Sequence, residues 1–431
     1  LCDRRQRQMC IRDRETTENN DLSKSSESIT VDESIAEDIL ATQADTAVVV
    51  GTVSDYLTAK GDAKLYNINL PAGVYLQAQL TTPANADLDY DLYLLDAEGN
   101  ILTGSDYYTY INGTAGTLPE ALGYITSGDT ATYYLYVLAS EGGSVSESFT
   151  LDYSVSTACD SYEIDESVRQ ALAFTYGAGG AYIESRNLSS PIDNDWYVIT
   201  VPSSRIYDKL KISATTASTN TCSVEVYQNV ESEGYQMKRV GSGNTISVSS
   251  GKYYIRVSNA KTMENFDDLD IQNYKLSITP ILKATGIVIT DLKGSEGLNK
   301  VVNYPGYGAH FRTQGSGTLT VYGVLTATDS STGVTYAVGG EQINGLYYSP
   351  AWEANNTSAN AIRRGTGTTD SSGKFEIDIS LPPGIGVYSY YGSTSTHYFD
   401  ICGVSVSPSD DSSISASETI FHLAYTMYHP F

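Results

Sequence analysis

One strand pattern occurs twice in this chain, and this repetition constrains the fold more than any other feature of the sequence. Residues 61–71 read GDAKLYNINLP, and residues 193–202 read DNDWYVITVP. In both copies a polar turn leads into alternating apolar and polar residues, and a proline ends the run. Alternation with a period of two is typical of a half-buried β-strand. The repetition therefore predicts two β-domains built on one plan.

Further strands repeat in the same order after each copy. Residues 133–137 (YYLYV) match residues 253–257 (YYIRV). The chain contains 35 tyrosines and 37 glycines. Tyrosine suits strands that bury the ring and hydrate the hydroxyl group, and glycine suits the turns between them. These features predict an all-β fold of tandem antiparallel β-sandwiches.

These strands resemble the bacterial pre-peptidase C-terminal family. The motifs that carry the resemblance are Asp193-Asn194-Asp195-Trp196-Tyr197, Asp91-Leu92-Tyr93-Leu94, Tyr253-Tyr254-Ile255-Arg256-Val257 and Tyr274-Lys275-Leu276. The first copy lacks the Asp-x-Asp-Trp motif, and the second copy lacks the Asp-Leu-x-Leu motif. The resemblance implies two jelly-roll-like sandwiches, usually non-catalytic, that are appended to secreted enzymes and surface proteins. It also implies kinship with modules that bind collagen and calcium.

The sequence predicts five regions. Residues 1–14 read like an in-frame translation of a sequencing adapter fused to a truncated gene, and residues 15–28 are predicted to be a disordered acidic linker. Residues 29–157 and 158–281 are the two duplicated sandwiches. Residues 282–431 are predicted to form an immunoglobulin-like sandwich, from strand spacing and a local resemblance to modules of bacterial surface proteins. We therefore expect that a signal peptide is missing from this fragment.

Acidic residues cluster where the second duplicated domain begins. The candidate metal ligands are Asp160, Glu163, Asp165, Asp193 and Asp195, with Glu166 beside them. Calcium takes six to eight oxygen ligands from carboxylates and carbonyls on loops. If the linking segment folds back beside residues 193–195, these groups converge on a calcium site. The alternative is a solvated acidic linker in which Asp195 caps a turn.

Three cysteines remain once residues 1–14 are set aside. Cys159 and Cys222 fall in the same predicted domain. They could form a disulfide in an oxidising compartment, or remain two buried free thiols. Cys402 lies in an apolar strand and is predicted to be a core residue.

One aromatic stretch in the last domain is a candidate for ligand binding. Tyr347, Tyr348 and Trp352 surround a proline and precede a polar run. Exposed flat rings can stack on sugars or on partner side chains. The alternative is a loop that folds its rings over the end of the sandwich.

Charge and missing motifs argue against several classes of function. The formal net charge is −25, from 51 acidic and 26 basic residues. Nucleic acids and anionic membranes attract basic surfaces, so both are poor partners. No apolar run reaches the roughly 18 residues of a membrane span. Common catalytic motifs are missing, and all four histidines follow residue 309, which removes the usual general base from most of the chain.

The sequence therefore favours a non-catalytic binding or spacer module of a secreted or cell-surface bacterial protein. Calcium is a possible stabiliser, and an extracellular glycan or protein is the expected partner. Two alternatives remain open. The chain is either a structural surface stalk or the accessory region of a secreted hydrolase whose catalytic domain is missing from this fragment.

Overall fold

The fold is described from a computed structural model of the chain. The structure describes residues 27–28, 48–85, 87–106, 108–111, 114–115, 118–157, 159–216, 222–230, 236–242, 244–260, 272–294, 317–354, 361–391 and 394–429. Strands account for 64% of the residues and helices for 2%, and the strands form several antiparallel sheets that pack as sandwiches. The predicted all-β fold of tandem sandwiches is therefore confirmed. The predicted adapter segment, residues 1–14, lies outside the described residues.

The first β-sandwich consists of two sheets, with strands numbered along the chain. In spatial order, one sheet contains β1 (Glu27–Ser28), β3 (Ala63–Leu70), β10 (Ala131–Glu141), β5 (Asp89–Leu95) and β6 (Ile101–Ser105). The other contains β2 (Val48–Asp55), β11 (Phe149–Ser156), β4 (Tyr75–Thr81) and β9 (Glu120–Ile125). Alternate residues of both sheets point between them and form the core, which includes Ile68, Leu92, Leu135 and Leu151. This burial is the main stabilising contribution.

The second β-sandwich repeats this arrangement. One sheet contains β12 (Leu172–Ala173), β14 (Asn194–Val201), β19 (Gly251–Asn259), β16 (Cys222–Asn229), β17 (Gln236–Ser242), β7 (Tyr108–Ile111) and β8 (Thr114–Ala115). The other contains β13 (Ala181–Leu188), β20 (Gln272–Leu282), β15 (Tyr207–Thr216) and β18 (Thr245–Ser247). The order β14-β19-β16-β17 matches β3-β10-β5-β6, and β13-β20-β15-β18 matches β2-β11-β4-β9.

The register of the strands agrees with the repeated sequence. Tyr66 on β3 lies opposite Leu135 on β10, and Tyr197 on β14 lies opposite Ile255 on β19. The two sandwiches are also physically joined. Strand β7, which precedes β9 in the chain, pairs in parallel with β17 of the second sandwich. The structure therefore packs residues 29–157 and 158–281, predicted as separate domains, into one compact unit.

A second compact unit holds most of the remaining chain, from Ile281 to Phe431, together with Ser204–Asp208. One of its sheets contains β21 (Gly286–Gly294), β22 (Gly317–Thr328) and β23 (Thr335–Ala337), with β26 (Lys374–Leu381) also paired to β22. The other contains β25 (Ile362–Thr368), β24 (Gln342–Tyr348), β28 (Ser395–Pro408) and β27 (Tyr388–Tyr391), with β29 (Ala416–Tyr428) also paired to β28. A short helix, α1 (Pro350–Ala354), follows β24.

The predicted disordered linker, residues 15–28, is wrong at its C-terminal end. Residues 27 and 28 form β1, which pairs in parallel with Tyr66 and Asn67 of β3. A polar and acidic composition therefore does not prevent these two residues from adding to a sheet edge, because the ladder uses only backbone groups. The rest of this predicted linker lies outside the described residues.

Candidate functional site

The acidic residues predicted as metal ligands converge in the structure. We call the group the carboxylate cluster, and its members are Asp160, Glu163, Asp165, Glu166, Asp193 and Asp195. The linking segment, residues 159–171, runs beside the start of β14. The backbone N–H of Trp196 donates a hydrogen bond to the carbonyl of Asp165 at 3.0 Å. This backbone contact holds the acidic segment against the strand that carries Asp195.

A buried arginine lies among the carboxylates. Arg186 on β13 is 0% exposed. Its Nη1 lies 2.5 Å from Asp160 Oδ1, and its Nη2 lies 2.5 Å from Asp165 Oδ2 and 2.8 Å from Asp195 Oδ1. Its Nε donates a hydrogen bond to Tyr197 Oη at 2.7 Å. One guanidinium therefore neutralises part of the charge of three acidic side chains.

The sequence analysis did not identify Arg186. The pairing of β13 with β20 shifts register between Ile183 and Arg186, and the intervening Ser185 has a positive φ of 62°. This irregularity interrupts the alternation from which a buried side would be inferred. A weak signal was nevertheless present, because Arg169 and Arg186 are the only basic residues between positions 159 and 202.

The first sandwich also contributes to the site. Tyr75 and Gln77 on β4 are both about 1% exposed. Tyr75 Oη lies 2.8 Å from Glu163 Oε2 and 2.6 Å from Glu166 Oε1, and Gln77 Nε2 donates a hydrogen bond to Glu166 Oε1 at 2.6 Å. A phenol has one proton to donate. Both contacts of Tyr75 are therefore satisfied only if one of the two glutamates carries a proton.

Asp193 and Asp195 are held by different partners. Asp193 Oδ2 accepts hydrogen bonds from the backbone N–H and the hydroxyl of Ser189, the latter at 2.8 Å. Asp195 Oδ2 accepts a hydrogen bond from Tyr274 Oη. Each aspartate uses one oxygen in this way. Their second oxygens, the Oδ1 atoms, accept no hydrogen bond.

Four members of the cluster have a buried oxygen without a hydrogen bond. These oxygens are Glu163 Oε1, Asp165 Oδ1, Asp193 Oδ1 and Asp195 Oδ1. Asp195 Oδ1 lies within ion-pair distance of Arg186 Nη2. That contact lacks the geometry of a hydrogen bond, so the oxygen keeps acceptor capacity.

Three of these four residues are close enough to hold one ion. One carboxylate oxygen from each of Glu163, Asp193 and Asp195 lies within 4.8 Å of the other two. Calcium binds oxygen at about 2.4 Å, so oxygens on either side of the ion are separated by up to about 4.8 Å. The residues present therefore fit a divalent cation with a hard oxygen preference. Glu163, Asp193 and Asp195 would hold it, and the ion would neutralise charge rather than perform chemistry.

The electrostatics of the cluster require a counter-ion or protons. The cluster has six carboxylates and one guanidinium, which contacts three of them, and Asp165, Glu166, Asp193 and Asp195 are each at most 1% exposed. Burial, followed by repulsion from Asp193, raises the pKa of Glu163 to about 8. Burial likewise raises the pKa of Glu166 and of Asp195, with the charge of Asp193 as the next cause for both. A buried charge without a partner is costly, so these groups hold either protons or a cation.

Of the two alternatives left open for Cys159 and Cys222, the structure follows the one in which both are free thiols. Cys222 begins β16 and faces Asn259 on β19, so its position is set by the sheet ladder. Burial raises the pKa of Cys222 to about 12 and also raises that of Cys159. Raised pKa values keep both groups as unreactive thiols near neutral pH.

The predicted aromatic platform is only partly exposed, and Tyr347 contradicts the expectation. Tyr347 is 0% exposed because it lies on β24 with its ring in the core. Its Oη lies 2.8 Å from His422 Nδ1 and 3.0 Å from Cys402 Sγ. Tyr348 donates a hydrogen bond to Glu353, and half-buried Trp352 donates one from Nε1 to the carbonyl of Pro383 at 2.9 Å. Tyr347 and Trp352 therefore follow the alternative interpretation, in which the aromatic rings pack against the sandwich.

Comparison with known proteins adds little to this geometry. No model of a known protein family matches the chain. The chain is 36% identical over 74 residues to the uncharacterized protein YlqB of Bacillus subtilis (strain 168), which covers 17% of this chain and 46% of that protein. The chain therefore spans about half the length of this relative.

Two solved structures align at low similarity. A periplasmic inhibitor of g-type lysozyme from Aeromonas hydrophila, PliG, aligns with 8% identity and a TM-score of 0.19, covering 30% of this chain and 96% of that chain. The PBSX exported protein XepA aligns with 9% identity and a TM-score of 0.19, covering 54% of this chain and 86% of that chain. TM-scores this low support no conclusion about function. Within the described residues, no helix has the length and apolar character needed to span a bilayer.

Proposed function

We propose that the chain is a non-catalytic binding module of a secreted or cell-surface bacterial protein, and that calcium stabilises its first unit. The observation that carries the calcium site is the convergence of Glu163, Asp193 and Asp195, each with a buried oxygen that accepts no hydrogen bond. The resemblance to the pre-peptidase C-terminal family supports this proposal, because some relatives in that family bind calcium.

The burial of the cluster supports a structural rather than a catalytic role. Asp165, Glu166, Asp193 and Asp195 are at most 1% exposed, so a polymeric substrate has no path to them in this structure. General acid–base catalysis needs the carboxyl group within hydrogen-bond reach of the substrate. These side chains instead contact one another, Arg186, and Tyr75 and Gln77 of the first sandwich.

The location of the site supports a specific role for the cation. Tyr75 and Gln77 lie on β4 of the first sandwich, whereas Asp193 and Asp195 lie at the start of β14 in the second. The linking segment, with Glu163 and Glu166, lies between them in the chain. A cation held by Glu163, Asp193 and Asp195 would therefore stabilise the joint between the duplicated halves of the first unit.

Calorimetric titration of calcium into the full chain tests the proposal. We expect saturable binding with one ion per chain, weakened more than about tenfold by Asp193→Asn because a ligand oxygen is lost. Asp129→Asn, which alters an exposed aspartate, is the matched control and should bind as the wild type does. Absence of a binding signal in the wild-type chain, or equal binding by the Asp193→Asn variant, would overturn the proposed site.

A further inference from the structure

A second surface, on the last unit, is distinguished by exposed aromatic side chains. Strands β27, β28 and β29 form a three-stranded ribbon, in which β28 pairs with β27 on one side and β29 on the other. The exposed fractions of Tyr391, Met427 and Tyr425 are 71%, 54% and 48%. Large apolar side chains exposed together mark interaction sites more often than single exposed ones do.

The strand register places these side chains on one face. Tyr391 lies opposite Thr396, and Thr396 lies opposite Met427, which forms one row across the three strands. Tyr398 lies opposite Tyr425, two residues further along β28, and therefore on the same face. We call this face, made of Tyr391, Tyr398, Tyr425 and Met427, the tyrosine face.

Ring stacking and backbone packing hold part of the tyrosine face in place. The rings of Tyr398 and Tyr425 stack at 4.5 Å with an interplanar angle of 19°. The backbone of residue 386 lies against this pair, since a Cβ added to Gly386 would be 2.8 Å from Tyr398 Cβ and 3.3 Å from the Tyr425 ring. The stacked pair is thus supported on one side, while Tyr391 and Met427 remain open beside it.

Histidine is the only basic residue type in the sequence stretches that carry this face. Residues 379–399 and 419–431 contain no Asp, Glu, Lys or Arg, although the chain has a net charge of −25. The same stretches are rich in serine, threonine and histidine, as in the contact of Thr396 Oγ1, on this face, with His429 Nε2 at 3.1 Å. The face therefore offers no acidic residue, lysine or arginine to a charged partner, and its four members include one methionine and no aliphatic residue to hold a lipid.

We infer that the tyrosine face binds a neutral polysaccharide. Flat aromatic rings offer stacking surfaces to sugar rings, and hydroxyl and imidazole groups supply hydrogen bonds. Neighbouring strands are about 4.8 Å apart, so the face from β27 to β29 extends about 10 Å across the ribbon. This breadth suits a chain of sugars rather than one ring. The inference rests on the proposal that the chain is a binding module, and it names the surface and the ligand class.

Affinity electrophoresis of the full chain through gels that contain a soluble polysaccharide tests this inference. The probes are hydroxyethyl cellulose, galactomannan and xylan as neutral polymers, and polygalacturonate as an anionic one. We expect at least one neutral polymer to retard the wild-type chain, and Tyr391→Ala combined with Tyr425→Ala to weaken the retardation at least tenfold. Neither Tyr391 nor Tyr425 is buried, so the double variant should fold as the wild type does, and circular dichroism checks this.

A control variant lies on the opposite face of the same ribbon. Tyr428 is 76% exposed and is adjacent to Met427 in the strand, so it points away from the tyrosine face. Tyr428→Ala should leave the retardation unchanged. Retardation by polygalacturonate alone, by no neutral polymer, or equally in the double variant would overturn the inference. So would self-association of the wild-type chain that the double variant abolishes, because a second copy would then be the occupant. These outcomes do not affect the calcium titration, which reports on the other unit.

Discussion

Arg186 is the residue on which the carboxylate cluster depends most. It is the cation that contacts Asp160, Asp165 and Asp195, and its guanidinium is also 5.5 Å from the centre of the Tyr197 ring. The planar guanidinium can serve several carboxylates at once, which a lysine ammonium cannot do with the same geometry. A buried arginine of this kind is costly to desolvate, but removal of the arginine alone leaves its acidic partners without compensation.

Replacement of Arg186 by methionine should therefore destabilise the first unit by about 3–5 kcal/mol, the range for breaking a buried ion pair on one side. The free energy of unfolding in denaturant is the measurement. Lys60→Met is the control, since Lys60 forms an exposed pair with Glu141 and should change stability by less than about 1 kcal/mol. A change for Arg186→Met as small as that of the control would contradict the role assigned to Arg186.

The raised pKa of Glu163 predicts that the stability of the folded chain depends on pH when a chelator is present. Its pKa is raised from 4.5 to about 8 in the folded chain, so the folded state holds a proton that the unfolded chain releases. The stability from this group is therefore complete below pH 4.5 and is lost as the pH rises towards 8. We expect the melting temperature in chelator to fall across this window, and Glu163→Gln to make the fall shallower. A melting temperature that rises from pH 5 to 8 would contradict the burial of these carboxyls.

At the scale of elements, close packing of strands in the last unit depends on glycine. Gly365 and Gly367 on β25 lie against the backbone of β26, and a Cβ at Gly365 would overlap the carbonyl oxygen of Asp378 and lie 2.9 Å from Ile377 Cγ2. A side chain on the inner face of β25 would therefore push β25 and β26 apart. The sheets of this unit approach each other here because the contact is backbone against backbone.

Gly365→Ala should consequently destabilise the last unit by about 1–3 kcal/mol, the usual range for overpacking. Gly403→Ala on β28 is the matched control, because a Cβ there meets nothing within 4 Å. Denaturant unfolding of both variants, compared with the wild type, measures the difference. Equal stability of the two variants would show that β25 can move away from β26 without cost.

At the scale of the whole molecule, the sequence was sufficient for the strand plan but not for the site. Strict alternation, as in β26, where every second residue is buried, made the all-β fold and the duplication predictable. The acidic site residues were also predictable, because they are close in sequence to the strand that they approach. Arg186 is not predictable, since a register shift hides its burial. The interpretation of residues 346–352 as a loop is wrong for Tyr347, because this residue continues the alternation of β24.

Other features depend on contacts between distant segments. Tyr75 and Gln77 reach the cluster only because the two sandwiches pack as one unit, which no local pattern reveals. The tyrosine face likewise requires the pairing of β28 with both β27 and β29. Cys159 and Cys222 share a predicted domain, but sequence separation carries no information about the distance between two side chains.

A thermal melt of the full chain with calcium and then with chelator tests the central claim most directly. The chain forms two compact units, and the cluster lies in the first, so calcium should raise the melting of that unit and leave the other unchanged. At a calcium concentration about a hundred times Kd, binding adds about 2.7 kcal/mol, which corresponds to a shift of roughly 5–10 °C. The shift should fall to about half or less in the Asp193→Asn variant, because a site weakened at least tenfold adds at most about 1.4 kcal/mol at the same calcium concentration. A melt that is the same with calcium and with chelator would contradict a cation site at the joint of the duplicated halves.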